Sequence, residues 1–418
     1  YMTAMVQVAN SGNRQLLELD YADWQIDSFV WYVPDVDAGD PDEGDYDDPE
    51  ADLEQEYYSL IGAANPDYEA IAEVYVELVK LRRQLAVDNG YDSYAAYAYE
   101  NFYYRSYQPE QSEAFWAAVK ECFVPLMEDY AYDIYRGVSA SGAYNAIDAD
   151  PERILDAMGR CLPQMSEELA YAFQYMLDYG LCDLGDDPAK SSVGFTTDLY
   201  EYNEPFIFNA PYGDFNDYYD TFHEFGHFTN AFYTDNDIVF GAEDYDLAEL
   251  QSQGMEMMFT HFYDEIFGEE YSEALQQNAL MNLIYGIIDG ALYDEFQQRV
   301  FAEDDLDADR VCEIFKEVYG EYGYARYSGY EWEWVEISHN FDDPFYYISY
   351  ALSAVSALEL FTMAQEDYAG TMDVYLRVCA MNLEDYYFND ALAEVGLRDV
   401  FDASACREIA AALESALR

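Results

Sequence analysis

The chain has 418 residues, 86 of them acidic and 18 basic, for a formal net charge of −68. Such a surface repels nucleic acid and anionic lipid, while a 51% apolar content with 45 Tyr and 25 Phe is enough to build a large core. No run of about 18 uncharged apolar residues offers a membrane-spanning helix. The acids are spread along the whole chain, so they read as a solvated surface suited to salt or to life outside the cytoplasm, ahead of a device for selecting basic substrates. The opening residues Tyr1-Met2-Thr3-Ala4-Met5 lack the basic-then-apolar order of a signal peptide. The compartment stays open between export with the signal removed, which is slightly favoured, and a salt-rich cytoplasm. Cys122, Cys161, Cys182, Cys312, Cys379 and Cys406 lie far apart with no Cys-x-x-Cys, and read as buried thiols.

In chain order, residues 16–19 and 29–33 read as strands, and 35–52 as an acidic linker without the Asp-x-Asp-x-Asp-Gly spacing of a calcium loop. Residues 1–64 are therefore set apart as an N-terminal segment. A helical region, 65–190, opens on Asn65-Pro66 as cap and first helical proline, with Ile71, Val74, Tyr75, Leu78 and Leu85 at helical spacing up to Asn89-Gly90. Residues 115–135 carry Ala118, Cys122, Leu126 and Tyr130 on one stripe, and 151–177 read as another helix. After the loop at Gly185-Asp186-Asp187-Pro188, residues 194–200 and 205–209 are β-branched and aromatic, joined by Glu201-Tyr202-Asn203-Glu204. They predict a hairpin, which either takes up an extended peptide by strand addition or is plainly structural.

The region 191–418 holds the chemistry. Thr221-Phe222-His223-Glu224-Phe225-Gly226-His227-Phe228 uses two of the four histidines in the chain. On a helix starting near Asn216, His223 and His227 project from one face and can share a metal ion, with Glu224 beside them to act on a water there. A second helix is predicted over 245–267. Its Glu249 supplies the third ligand, because a His₂Glu set leaves a fourth position open for water, as a catalytic zinc requires. Glu256, two turns on, either orients a ligating histidine or is a solvated carboxylate. His261 has no companion motif and reads as structural. Residues 272–320 are helical, and the Tyr- and Gly-rich stretch 319–330 is either a covering loop or a connector. Then come His339 and a cluster of tyrosines at 346, 347 and 350, leading into a long helix through Leu360. A tetrahedral oxyanion needs a donor, and His339 with one or two of those tyrosines fits that role. Ile409, Leu413 and Leu417 mark a last core helix.

With these residues in place the chain resembles the M3 family of zinc metallopeptidases, the group of thimet oligopeptidase and oligoendopeptidase F. The likeness rests on His223-Glu224-Phe225-Gly226-His227, on Leu247-Ala248-Glu249-Leu250-Gln251-Ser252-Gln253-Gly254-Met255-Glu256, and on His339 with Pro344-Phe345-Tyr346-Tyr347-Ile348-Ser349-Tyr350. A fainter likeness lies in Glu77-Leu78-Val79-Lys80-Leu81-Arg82 and Gly90-Tyr91-Asp92-Ser93-Tyr94, so that roughly residues 65–418 are covered. The resemblance implies a mostly α fold of the helical zincin type, with a deep substrate channel and a small hairpin or sheet beside the catalytic helix. It implies one zinc ion on His223, His227 and Glu249, Glu224 as general base, and His339, Tyr347 and Tyr350 holding the oxyanion and the substrate backbone. It implies short peptides as substrates, with their edge-strand pairing falling on Gly194 to Leu199. Members are usually longer at the N-terminus, so 1–64 reads as the remnant of a lobe. The expected function is a zinc-dependent oligopeptidase cutting internal bonds of short peptides. Its rivals are a helical zinc carboxypeptidase or dipeptidyl carboxypeptidase, which cuts only from the C-terminal end, and an inactive peptide-binding remnant, which need not hold zinc.

Overall fold

The computed structural model describes residues 49–418 apart from 187–189, 191–193, 200, 201, 235–242, 325 and 327. The strands expected at 16–19 and 29–33, and most of the acidic linker, lie outside the described residues. The last residues of that linker are helical: α1, Pro49–Ile61, begins on a proline, with Glu50 and Asp52 in its first turn where the helix dipole favours acids. A run of acids shows no apolar period, and here tertiary pairing orders it. Glu50 and Glu54 hold the buried Arg82 at 2.6 and 3.0 Å, and Tyr57 stacks on Phe341 at 3.7 Å.

Helix α2, Tyr68–Asp88, is capped by Asp67, whose carboxylate accepts from the Ala70 amide at 3.2 Å. The cap thus lies two residues beyond the expected Asn65. Next come α3, Tyr94–Asn101, the long α4, Pro109–Ser141, and the single turn α5, Ala143–Ala146. The helix expected over 151–177 is two, α6, Pro151–Met165, and α7, Glu167–Tyr179. They part at Ser166, where the hydroxyl caps α7 by accepting from the Leu169 amide at 3.0 Å.

The sheet among the described residues has strand order β1-β3-β2, with β1 at Cys182–Asp183, β2 at Gly194–Leu199 and β3 at Glu204–Asn209. The predicted hairpin is present, antiparallel from Gly194 opposite Asn209 to Leu199 opposite Glu204, whereas the short parallel β1 was not anticipated. Strand β3 is central and buried through Phe206, Ile207 and Phe208, so among the described residues β2 is an edge strand, as is the two-residue β1.

Beyond it lie α8, Asn216–Tyr233, and α9, Tyr245–Phe259, which tightens through a 3₁₀ turn at Thr260–Phe262 into α10, Tyr263–Phe267. Then follow α11, Ser272–Ala302, and α12, Ala308–Glu321. After 3₁₀ turns at Tyr330–Glu336 and Ser338–Asn340 come α13, Tyr347–Glu366, α14, Tyr368–Cys379, α15, Phe388–Val395, and α16, Ala403–Leu417. Helix α13 is long and apolar enough to cross a membrane, with a mean hydropathy of 1.3, but 78% of that window is buried inside the structure. It is a core helix between α9 and α11. Its approach to α11 is backbone to backbone: a Cβ on Gly290 would lie 2.5 Å from the Tyr347 carbonyl oxygen.

Buried acids in this core are met by phenols. Tyr99 donates to Asp294 at 2.8 Å, Tyr107 to Asp246 at 2.8 Å and Tyr322 to Glu295 at 2.8 Å, and Tyr324 donates to Asp289. Burial pushes Asp294 and Glu54 up to about 7, and burial with the neighbouring Asp246 pushes Asp244 up to about 8. Each binds its proton more tightly folded than in the unfolded chain, where carboxyls titrate near about 4. The stability they contribute is therefore complete below that value and is lost as pH rises through 7 to 8. Calorimetry of the metal-free protein should show the thermal midpoint falling by several degrees between about pH 5.5 and 8.5. A flat or rising midpoint would contradict this.

Candidate active site

Helix α8 turns one face inward through Phe222, Phe225 and Phe228, all fully buried. Phe222 stacks on Phe259 of α9 at 3.8 Å and 6°. At Gly226 the two helices touch along their backbones, since a Cβ there would sit 2.5 Å from the Gln251 carbonyl oxygen and 2.6 Å from the Ser252 Cα. This crossing brings Glu249 to the histidines. Its Oε2 lies 3.4 Å from His223 Nε2 and 3.8 Å from His227 Nε2, and the three residues offer donor atoms all within 4.8 Å of one another.

Each donor is held from behind. His223 Nδ1 bonds Glu256 Oε1 at 2.7 Å, so Glu256 orients the ring and is not a solvated carboxylate. Glu249 accepts through Oε1 from the Tyr346 hydroxyl at 2.7 Å, and through Oε2 from Ser252 Oγ at 3.2 Å. Burial opposes a charge on His223, but carboxylates on both ring nitrogens outweigh it and hold the imidazole well above its usual range. Burial, aided by the charge of His223, depresses His227 to about 4, against the pull of Glu249. Glu249 itself, raised by burial, is brought down to about 2 by its bond to His223, the charge of both histidines and the Tyr346 hydroxyl. The two carboxylates thus favour a proton on His223 in the metal-free site, and that proton competes with a cation.

Glu224 is 6% exposed and points to the edge strand, where Thr196 Oγ1 donates to its Oε2 at 2.7 Å. Burial lifts its carboxyl to about 7, against the His223 charge and the Thr196 bond. A Thr196→Val change removes that bond while keeping the side chain's shape. It should lower kcat about 10-fold with little change in KM, as steady-state assays on a short peptide would report. An unchanged kcat would leave Thr196 with a purely structural part.

His339 sits in the 3₁₀ turn Ser338–Asn340, its ring stacked on Tyr346 at 5.0 Å and 15° and tilted toward Tyr347 at 5.4 Å and Tyr350 at 6.3 Å. Of the two expected tyrosines, Tyr350 is the one that feels the charge of Glu249: burial, then Glu249 and, more weakly, Glu224 raise its phenol well above the usual range and keep it a donor. Tyr347 leans toward α11, edge-on to Tyr293 at 5.3 Å, with burial and Asp289 raising it to about 12. His261 is exposed and stacks on Tyr368 at 4.1 Å, apart from these groups.

The segment after His339 is pinned at three carbonyls. Arg82 donates to Phe341 O at 2.5 Å, Tyr103 to Pro344 O at 2.7 Å and Arg105 to Phe345 O at 3.0 Å, and the Phe345 amide donates to Gln297 at 2.7 Å. These bonds hold Phe345 at φ 72, a left-handed conformation that costs a non-glycine residue about 1–3 kcal/mol. Arg105 also pairs with buried Asp246 at 3.4 Å and bonds Ser349 at 2.8 Å, joining α9 to α13. Sequence reasoning counted Tyr346 among three possible oxyanion donors and Thr196 within the expected peptide-pairing strand, but it did not foresee their bonds to Glu249 and Glu224. A threonine on a hairpin carries no signal of its own, and Tyr346 is one of three tyrosines in five residues.

A helical scaffold with this His₂Glu arrangement and an adjacent carboxylate puts the chain among the metallopeptidases of the helical zincin type. Residues 169–377, half of the chain, match the model of peptidase family M3, and the chain belongs to that family. The fold is similar to that of a proposed oligoendopeptidase F, with a TM-score of 0.76 and 22% identity over 88% of this chain and 75% of that one. It is similar to a proposed oligoendopeptidase F from Bacillus anthracis, with a TM-score of 0.72 and 19% identity over 98% and 79%. It is also similar to a carboxypeptidase from Pyrococcus furiosus, with a TM-score of 0.61 and 13% identity over 88% and 79%. Identities this low speak to the fold alone. No curated protein matches the chain by sequence.

Proposed function

We propose that this M3 metallopeptidase is a zinc-dependent oligopeptidase that hydrolyses internal bonds of short peptides, with zinc on His223, His227 and Glu249. The observation that carries the reading is the spacing of those donors. Ligand bonds of about 2.0–2.2 Å at tetrahedral angles put donor atoms roughly 3.3–3.6 Å apart. Of the separations from Glu249 Oε2 to the two imidazoles, 3.4 Å falls within that range and 3.8 Å lies about 0.2 Å above it. A zinc ion bound there supplies Lewis acidity and lowers the pKa of a coordinated water.

The chain's own groups do the rest. Glu224, fixed by Thr196, takes the proton of the attacking water and returns it to the leaving amine. Tyr350, with His339 and Tyr347 beside it, donates to the developing oxyanion. Strand β2, an edge among the described residues, lies against Glu224 through Thr196 and suits an extended peptide backbone. Internal cutting is favoured over release of C-terminal residues by the charges acting here. The carboxylates that shift His223, Glu224 and Tyr350 are Asp220, Glu224, Glu249 and Glu256, an acidic setting that disfavours a peptide's terminal carboxylate.

Quenched peptides of graded length, incubated with the chain plus zinc or a chelator and read by mass spectrometry, test the reading. Chelator-sensitive internal cuts confined to short peptides are expected. Release of C-terminal residues only would favour a carboxypeptidase, and absence of both cleavage and bound zinc would favour a remnant.

A further inference from the structure

Glu249 presents its two oxygens to different partners. Oε2 faces both histidines, at 3.4 and 3.8 Å, while Oε1 accepts the Tyr346 hydroxyl at 2.7 Å. We propose that Tyr346 is a positioning residue that restricts Glu249 to donating one oxygen to the metal and couples that ligand to the His339 turn. The inference rests on the metal reading given above.

A carboxylate with both oxygens free can swing to bind a cation through either or both. Two oxygens would occupy the position that a catalytic site keeps for water or substrate. The phenol of Tyr346 takes up Oε1 and so leaves three protein donors and an open fourth place. Tyr346 can do this because its own ring is fixed on every side. It lies edge-on to Tyr103 at 6.2 Å, Tyr245 at 5.5 Å and Tyr350 at 5.1 Å, and flat against His339 at 5.0 Å. Tyr346 is the cap residue just before α13, one position after Phe345 with its left-handed backbone and pinned carbonyl. The aim of the hydroxyl is thereby set by the same bonds that hold the His339 turn. A shift of that turn on binding peptide would be felt at Glu249 through one ring. Tyr347 and Tyr350 are not placed to do this, since neither is hydrogen-bonded to Glu249 in the structure, whereas Tyr346 is.

The test uses the full chain, titrated with Zn²⁺ against a competing chelator and, separately, loaded with Co²⁺ for its visible spectrum. Tyr346→Phe should weaken zinc binding by about 10- to 100-fold, the cost typical of removing a partner behind a ligand. It should also lower the intensity of the cobalt band, as a second carboxylate oxygen raises the coordination number. Tyr347→Phe should change neither. A Tyr346→Phe protein with zinc affinity within twofold of wild type and an unchanged cobalt spectrum would overturn the inference. So would equal losses in both variants, which would mean a general loosening. X-ray absorption at the zinc edge of the wild-type chain needs no variant: one carboxylate oxygen at bonding distance is expected, and two would overturn the inference. A wild-type chain that binds neither metal takes down the zinc reading and this inference together. Wild-type binding with an indifferent Tyr346→Phe takes down this inference alone.

Discussion

Glu224→Gln should leave the chain holding one zinc ion with undiminished affinity while its turnover of a short peptide falls by about 10²- to 10⁴-fold. The two effects separate because Glu224 is not among the three donors. Its Oε2 is bonded to Thr196 on β2 at 2.7 Å, whereas the donor atoms converge from His223, His227 and Glu249. Glutamine keeps the length and planarity of the side chain and an oxygen for the Thr196 hydroxyl, so α8 has no reason to shift. What it lacks is an oxygen able to take a proton from water. Elemental analysis beside kcat/KM decides the matter, and a variant that hydrolyses peptide at the wild-type rate would remove Glu224 from the reaction.

Gly226→Ala should be nearly as damaging without altering any group that touches metal or peptide. The new methyl would arrive 2.5 Å from the Gln251 carbonyl oxygen and 2.6 Å from the Ser252 Cα. Both are backbone atoms, which have no rotamer to give way. Helices α8 and α9 must separate by several tenths of an ångström, and Glu249 moves with the segment that is pushed. Ligand distances tolerate only about 0.2 Å, so zinc affinity should fall at least about 10-fold. Overpacking of this kind costs about 1–3 kcal/mol in stability. Chelator competition and thermal unfolding of the metal-free chain report the two losses separately. Unchanged zinc affinity would mean that the helices accommodate the methyl without moving the ligands.

Much of this centre was legible in the sequence because its spacing is local. His223, Glu224 and His227 lie within five residues, and the helical period alone puts the histidines on one face. Glu249 and Glu256 could be ranked because they share a helix and their spacing fixes their common side. The hairpin was legible for the same reason, two β-branched and aromatic runs with a turn between them. The parts that stayed hidden are the ones made by tertiary contact. Helix α1 looks like linker because its order comes from Arg82 and Phe341, distant in sequence, and not from an apolar stripe. Tyr346 and Tyr347 are neighbours with the same chemistry, and only the path of the chain out of Phe345 aims one at Glu249 and turns the other to α11. The break at Ser166 was visible as Ser-Glu-Glu, a cap with an acidic first turn, but the flanking apolar pattern runs through it.

The phenol–carboxylate bonds of the interior bear on how such a chain lives with its own surface. A net charge of −68 calls for counterions, and ions at high concentration screen the pairing of opposite charges. With only 18 basic side chains, a core stitched by arginine would be short of donors, and any pair near the surface would be weakened by the medium that the surface needs. A phenol donates without carrying a charge, so the bonds from Tyr99, Tyr107, Tyr322 and Tyr346 to their acids lose little when salt is added. The 45 tyrosines supply a stock of salt-indifferent donors, and the cohesion of the inside is decoupled from the ionic strength outside.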